Sequence, residues 1–284
     1  MLQIITDSAS DITLKQAENM KIHIVPLSIR FPDGECPQEK DEDFLTFYRR
    51  LQEAEELPVT SQPSPEAYLT YYREAEKNGD DVLVLTLSSG LSGTINAAKI
   101  AEEICEYDRV FVVDTRQAIL SQRIVVEYAV KLRDEGLKTE EIVENIEELR
   151  DRVVVCGVVD TLTYLKKGGR IPKSLAVLGN ALQIKPVIIL EDKILKTIGK
   201  VRGRKAGKKC LHQKFEESEN DVDFQIYFGY TSDKEIVEEF MQETIEKYGL
   251  EAGRTKMYPV GGVIGTHVGT DCIAVAYVKK SSEK

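Results

Sequence analysis

The segment that most constrains the fold of this chain runs from Asp81 to Ile104. Asp81-Val82-Leu83-Val84-Leu85-Thr86 is a short apolar run with polar ends, the pattern of a buried strand. Ile95 to Ile104 carries its apolar residues at helical spacing. Between them lies Leu87-Ser88-Ser89-Gly90-Leu91-Ser92-Gly93-Thr94, a turn of small, hydroxylated and glycine residues. A strand, such a turn and then a helix bring amides and hydroxyls to a helix N-terminus, where an anion is favoured. No Gly-Lys-Ser/Thr follows, so this is not a Walker loop. The second glycine comes one place too early for a G-x-S-x-G nucleophile elbow. Read in isolation, the turn only starts a helix, with Ser92 as its cap.

The same alternation recurs through the first half. Strands are predicted at Gln3–Thr6, Ile22–Ile29 and Arg109–Asp114. Helices are predicted from Thr13 to Lys21, Asp41 to Glu56, Pro65 to Asn78, Gln117 to Glu135 and Thr139 to Arg150. Ser64 is placed to cap the third of these and Pro65 to be its first residue. Strands alternating with helices imply a mostly parallel sheet covered on both faces, with ligands at the carboxyl ends of the strands. The turns after Thr6 and Thr86 are such ends. The second half changes style. It reads as a strand at Val153–Val159, a short helix closed by Gly168-Gly169 and a helix from Ser174 to Leu182. A hairpin (Lys185–Leu190, Lys193–Val201) and further helices at Arg204–Glu217 and Lys234–Tyr248 follow. A strand is expected at Phe224–Tyr230. Pro259 to Asp271, with His267, reads as a glycine-rich strand-to-turn segment before a closing strand at Cys272–Val278. The expected architecture is α/β in two lobes, residues 1–160 and 161–284: a mostly parallel sheet with helices on both faces, then a second α/β lobe.

The 284 residues suffice for two real cores, and 42% hydrophobic content argues against disorder. No apolar run approaches the ~20 residues of a membrane span. The N-terminus reads as a strand rather than a signal peptide. Five scattered cysteines without a C-x-x-C pair, and three histidines without ligand spacing, disfavour zinc and thioredoxin chemistry and suggest a reduced, cytoplasmic setting. The net charge of -10 disfavours nucleic acid as a partner of the whole surface. The charge is uneven, however. Lys166 to Lys209 holds thirteen Lys and Arg against Glu191 and Asp192, so +11 sits on a chain whose remainder carries -21. That field suits docking of an acidic partner.

Five stretches form one ordered pattern: Thr6-Asp7-Ser8, Thr60-Ser61-Gln62-Pro63-Ser64-Pro65, Leu87 to Thr94, Gly168-Gly169-Arg170-Ile171, and Val263-Ile264-Gly265-Thr266-His267-Val268-Gly269. In this order and spacing they resemble the DegV family, the bacterial fatty-acid-binding proteins that serve fatty acid kinase. The resemblance covers essentially the whole chain. It implies a two-lobed carrier that holds one long-chain fatty acid, such as palmitate, stearate or oleate. A separate kinase subunit would phosphorylate the acid to acyl phosphate for phospholipid synthesis, with transient membrane contact possible and no cofactor. By motif position it implies Thr60, Ser92 and His267 as carboxylate ligands, with Ser61 as a neighbour. The basic region, through Arg170, Lys173, Arg202 and Arg204, is the expected docking face for the kinase. One departure stands out. Where the family often has Gly-Pro-Gly after the histidine, this chain has Gly269-Thr270-Asp271. Asp271 either orients His267 or ends a turn, and its charge near the head group would oppose a carboxylate.

The chemistry suits that role. About a dozen buried methylenes at ~0.8 kcal/mol each supply the gross affinity. Neutral hydroxyls such as those of Thr60 and Ser92 donate to a carboxylate without a strong ion pair, and leave it nucleophilic. His267 can donate in either protonation state, and as imidazolium it would pair with the carboxylate. Each residue also has a plain reading: Ser92 a helix cap, Thr60 a loop stabiliser, His267 a structural histidine, Arg170 a solvated cation after a helix stop. The alternative function is a serine-type hydrolase of a lipid or acyl substrate, using Ser92, His267 and Asp7 or Asp271. A nucleic-acid-binding regulator is a third reading, but Tyr164 is the only stacking residue near the basic stretch.

Overall fold

The computed structural model describes residues 1–172, 184–251 and 253–281. Lys173 and the helix expected from Ser174 to Leu182 lie outside them. In chain order the first half comprises β1 (Leu2–Asp7), α1 (Leu14–Met20), β2 (Ile22–Val25), β3 (Ser28–Phe31), β4 (Gly34–Glu35) and α2 (Asp41–Glu53). It continues with β5 (Val59–Ser61), α3 (Pro65–Asn78), β6 (Asp81–Thr86), α4 (Thr94–Cys105), β7 (Val110–Asp114), α5 (Ile119–Asp134) and α6 (Thr139–Leu149). The second half comprises β8 (Val153–Val158), α7 (Thr163–Lys167), β9 (Ile184–Glu191), β10 (Ile194–Arg202), α8 (Arg204–Glu216) and β11 (Ile226–Tyr230). It closes with α9 (Lys234–Tyr248), β12 (Thr255–Pro259), α10 (Gly262–Val268) and β13 (Ile273–Val278).

The first sheet is parallel, in the order β2-β1-β6-β7. Its strands are apolar without alternation because both faces are covered. Ile5, Val82 and Val84 pack beneath α3 and α4, on Tyr68, Tyr72, Ala97 and Ala101. Ile4, Leu83 and Leu85 join the opposite core with Ile124 and Val125 of α5. The second sheet is mixed, in the order β10-β9-β8-β13-β11-β12, and only β11 and β12 run parallel. One of its faces packs on α8 and α9 through Cys156, Ile189, Leu211, Phe215 and Phe240. The other contributes Val155, Leu190, Tyr227 and Ala276 to the core that contains α5, so that helix lies between the two sheets.

Two expected elements differ. Ile22–Ile29 is not one strand. Proline at 26 offers no ladder donor, and the chain divides there: β2 stays in the parallel sheet while β3 leaves to pair with β4 and β5. The segment holding His267 is a helix, α10, rather than a strand and turn. Its glycines make room for α2. An added Cβ on Gly262 would stand 2.7 Å from the Phe47 ring, and one on Gly265 2.5 Å from the Tyr48 hydroxyl. Burial against those rings stabilises a helix that glycine-rich composition disfavours. Smaller differences are local: α2 stops at Glu53, and Ser64 precedes α3 without a capping hydrogen bond from its side chain.

Candidate functional site: an apolar cavity with a polar mouth

A cavity of about 340 Å³ lies between the second sheet, α10 and the start of α5. Its walls include Val155, Ile188, Leu190, Val263 and Ala274. Cys156 and Cys272 also line it; burial pushes both thiols up to about 12, so they act as small apolar side chains.

Polar groups gather where the serine turn, β5, α10 and the stretch after α7 meet. Thr60 comes from β5, which pairs with β3 through Ile29. Its Oγ1 lies 3.0 Å from His267 Nε2. Ser92 Oγ is 2.9 Å from Thr94 Oγ1 and accepts the Thr94 amide at 3.3 Å; the N-cap of α4 is Gly93, so Ser92 stands one residue ahead of the cap position and lines the cavity. The Gln62 amide packs on Gly93, where a Cβ would stand 2.1 Å from Gln62 Oε1. Arg170 reaches across: its Nε donates to the Leu91 carbonyl at 3.2 Å and a terminal nitrogen to the Gly168 carbonyl at 2.7 Å. Thr60, Ser61, Ser92, Arg170 and His267 therefore all line one cavity. Arg202 and Arg204 sit at the end of β10 and the start of α8 and do not line it.

The turn after β1 braces this mouth without entering it. Asp7 is fully buried; its Oδ2 accepts the Leu87 amide at 2.6 Å and Oδ1 accepts that of Ala9 at 3.0 Å. This fixes the entry to the serine turn. Ser88 donates its hydroxyl to the Lys193 carbonyl at 2.8 Å, so the β9–β10 hairpin leans on the same turn. Gly90 is required there, because a Cβ would stand 2.2 Å from that carbonyl oxygen.

His267 is buried, and its Nδ1 has no hydrogen-bond partner among the described residues. The ring sits on Gly168, where a Cβ would come within 2.2 Å of Nδ1. Burial, and then the positive charge of Arg170, push His267 down to about 4. The ring is therefore neutral near pH 7, and of the two protonation states that sequence leaves open it rests in the one that donates without an ion pair. Asp271 does not orient it: its carboxylate accepts the Ser232 hydroxyl at 3.0 Å and its backbone is left-handed (φ 58), so it closes a turn. Ser92 and His267 each bond to a threonine instead of to one another, which is not the serine–base contact that a hydrolase uses.

A neutral buried histidine has a thermodynamic consequence. The unfolded chain takes up this proton near the ordinary 6.5, whereas the folded protein resists until about 4. The stability contributed by the neutral ring is complete above 6.5 and is lost as pH falls toward 4. Asp7 and Asp11, raised by burial to about 6 and about 8, act in the opposite sense, because protonation favours their folded state. The difference between parent and His267→Asn isolates the histidine. In urea unfolding, the parent should lose up to about 3 kcal/mol relative to the variant between pH 6.5 and 4. Parallel stability curves would show an ordinary histidine.

A family model described as "Uncharacterised protein, DegV family" matches residues 1–280. The chain belongs to the DegV family. A DegV domain-containing protein of Caldanaerobacter subterraneus is 32% identical over 283 residues, 98% of this chain and 99% of the relative. A solved DegV family protein from Thermus thermophilus, described by its fatty acid binding, superposes with a TM-score of 0.87. It is 31% identical and covers 98% of this chain and 99% of its own. A stearic-acid-binding protein of Eubacterium ventriosum gives 0.83 at 27% identity, covering 99% of both chains. The DegV fold thus joins a parallel sheet to a mixed one, and here the apolar cavity lies against the mixed sheet. The bracing residues Asp7 and Gln62 fall within ordered motifs of this DegV chain. No local pattern shows which distant amide or glycine each will meet.

Proposed function

We propose that this chain binds one long-chain fatty acid, with the acyl tail in the cavity and the carboxylate at Thr60, Ser92 and His267, Ser61 lying beside them. The observation that carries this reading is an apolar cavity whose polar groups collect at one mouth. Its volume falls within the range of small-ligand sites, about 300–1,000 Å³. The fatty acid binding ascribed to the Thermus thermophilus and Eubacterium ventriosum proteins supports it. The tail supplies affinity by burial, and the mouth supplies direction. Two hydroxyls and a neutral imidazole can donate to a carboxylate without fixing it in an ion pair. Such a carboxylate stays nucleophilic.

On this reading the protein is a carrier, and a separate kinase subunit converts the presented acid to acyl phosphate for phospholipid synthesis. The basic face that includes Arg202 and Arg204, with Arg170 at the mouth and Lys173 in sequence beside it, would receive that partner. No described helix is long and apolar enough to cross a membrane.

The test is acyl-phosphate formation in the presence of such a kinase. Ser92→Ala and His267→Ala should each lower it roughly tenfold, the scale of one lost hydrogen bond to a charged group, while both proteins stay folded. Charge reversal at Arg204 should slow it most at low salt. Unchanged turnover in both site variants would refute the assignment of the carboxylate.

A further inference from the structure

We propose that Asp11 is a positioning residue for His267, fixing the start of α10 through Gly261 and so setting where the imidazole stands. The Asp11 carboxyl is buried, and its Oδ1 accepts the Gly261 amide at 2.9 Å. The fit is close. A Cβ on Gly261 would stand 2.8 Å from that oxygen, so a glycine is needed at the contact. Gly261 immediately precedes α10, and His267 lies in the last turn of that helix. The next amide, that of Gly262, donates to Gln38 Oε1 at 2.6 Å. The Tyr48 hydroxyl donates to the Val260 carbonyl at 2.8 Å. Three side chains from the first fifty residues therefore grip residues 260–262.

Asp11 is itself held. Its backbone is left-handed (φ 55), and its carbonyl accepts a guanidinium nitrogen of Arg123 at 3.2 Å. Arg123 is buried, stacks 3.7 Å over the Tyr258 ring, and donates to Gln16 at 3.0 Å and Glu127 at 2.9 Å. A seven-residue helix is a lever of about 10 Å. Loosening its base by a small angle moves the far end by a large fraction of an ångström, enough to break the 3.0 Å contact between His267 and Thr60. Burial raises Asp11 to about 8, so near pH 7 the group accepts the Gly261 amide chiefly as a neutral carboxyl. An asparagine carbonyl can do the same.

The purpose of a positioned imidazole rests on the fatty-acid reading; the positioning does not. The experiment is accordingly made first on ligand-free protein, by long-range ¹H–¹⁵N correlation of the His267 ring, assigned by its loss in His267→Asn. The parent should show a neutral ring at pH 6 with one fixed tautomer. Asp11→Asn should keep that spectrum, while Asp11→Ala should show tautomer averaging and protonation near the ordinary histidine value. Should Asp11→Ala not fold, Gln38→Ala, which removes the acceptor of the adjacent amide, should shift the ring in the same direction. An unchanged ring in the folded alanine variant would overturn the proposal. Oleate affinity then gives the second readout. It should fall about tenfold in Asp11→Ala and stay within about twofold in Asp11→Asn; Asp11→Ala/His267→Ala should bind no more weakly than His267→Ala alone. Additive losses in the double variant would also overturn it. A parent that shows the predicted ring yet takes no oleate would refute the fatty-acid reading and leave the positioning intact.

Discussion

The Gly168→Val protein is expected to bind a long-chain fatty acid roughly tenfold more weakly than the parent, a loss of about 1.4 kcal/mol. The reason is local. Any Cβ at position 168 would stand 2.2 Å from His267 Nδ1, 3.0 Å from its Cε1 and 3.1 Å from the Tyr164 carbonyl oxygen. The carbonyl belongs to the last turn of α7 and cannot retreat, so the ring must move, and the contact with Thr60 is lost. The backbone at Gly168 is ordinary (φ -75), so valine adds no left-handed strain there. The substitution therefore separates loss of the head-group site from loss of fold. Isothermal titration with oleate, together with the thermal midpoint of the ligand-free protein, checks it. Parent-like affinity in a folded variant would show that the ring can move without consequence and that His267 is not a ligand.

Ala274→Phe is expected to shorten the acids that the cavity accepts. Ala274 lies on β13, lines the cavity and faces the strands that carry Gly157 and Gly229. Gly157 and Gly229 line the same cavity and carry no side chain, so the space beside Ala274 on this face of the sheet is part of the cavity. A phenyl ring there has only the cavity to occupy. Displacing about four methylenes at ~0.8 kcal/mol each lowers affinity for the longest acids by roughly 3 kcal/mol. Acids short enough to end before the ring lose little. Core enlargement ordinarily costs about 1–3 kcal/mol of stability, and filling vacant apolar space offsets part of that. Competition among saturated acids of increasing length is the readout. A variant with the parent's chain-length preference would place the tail elsewhere.

The fold was legible where local pattern decides it. The unbroken apolar strands of the first sheet, the serine turn opening α4 and the hairpin after residue 184 each follow from a stretch of ten to twenty residues. Two features were not legible, because partners remote in sequence decide them. Residues 262–268 are helical owing to rings of α2 that fill the space their glycines leave. Pro26 redirects a strand that hydrophobicity alone would continue. The site divides the same way. Thr60, Ser92 and His267 stand out by motif, yet the 3.0 Å contact between Thr60 and His267 spans 207 positions. Arg170, by sequence a cation of the expected docking face, lines the cavity mouth. Asp11, Gln38 and Gln62 act on backbone amides or a glycine of distant segments, and a sequence does not display which amide a side chain will reach.

The most direct test of the central claim is mass spectrometry of small molecules extracted from the protein after purification without detergent. One long-chain fatty acid per chain in the parent, with lower occupancy in Gly168→Val, is the predicted result. A parent that yields no fatty acid, and that takes up neither oleate nor palmitate when these are added, would contradict it.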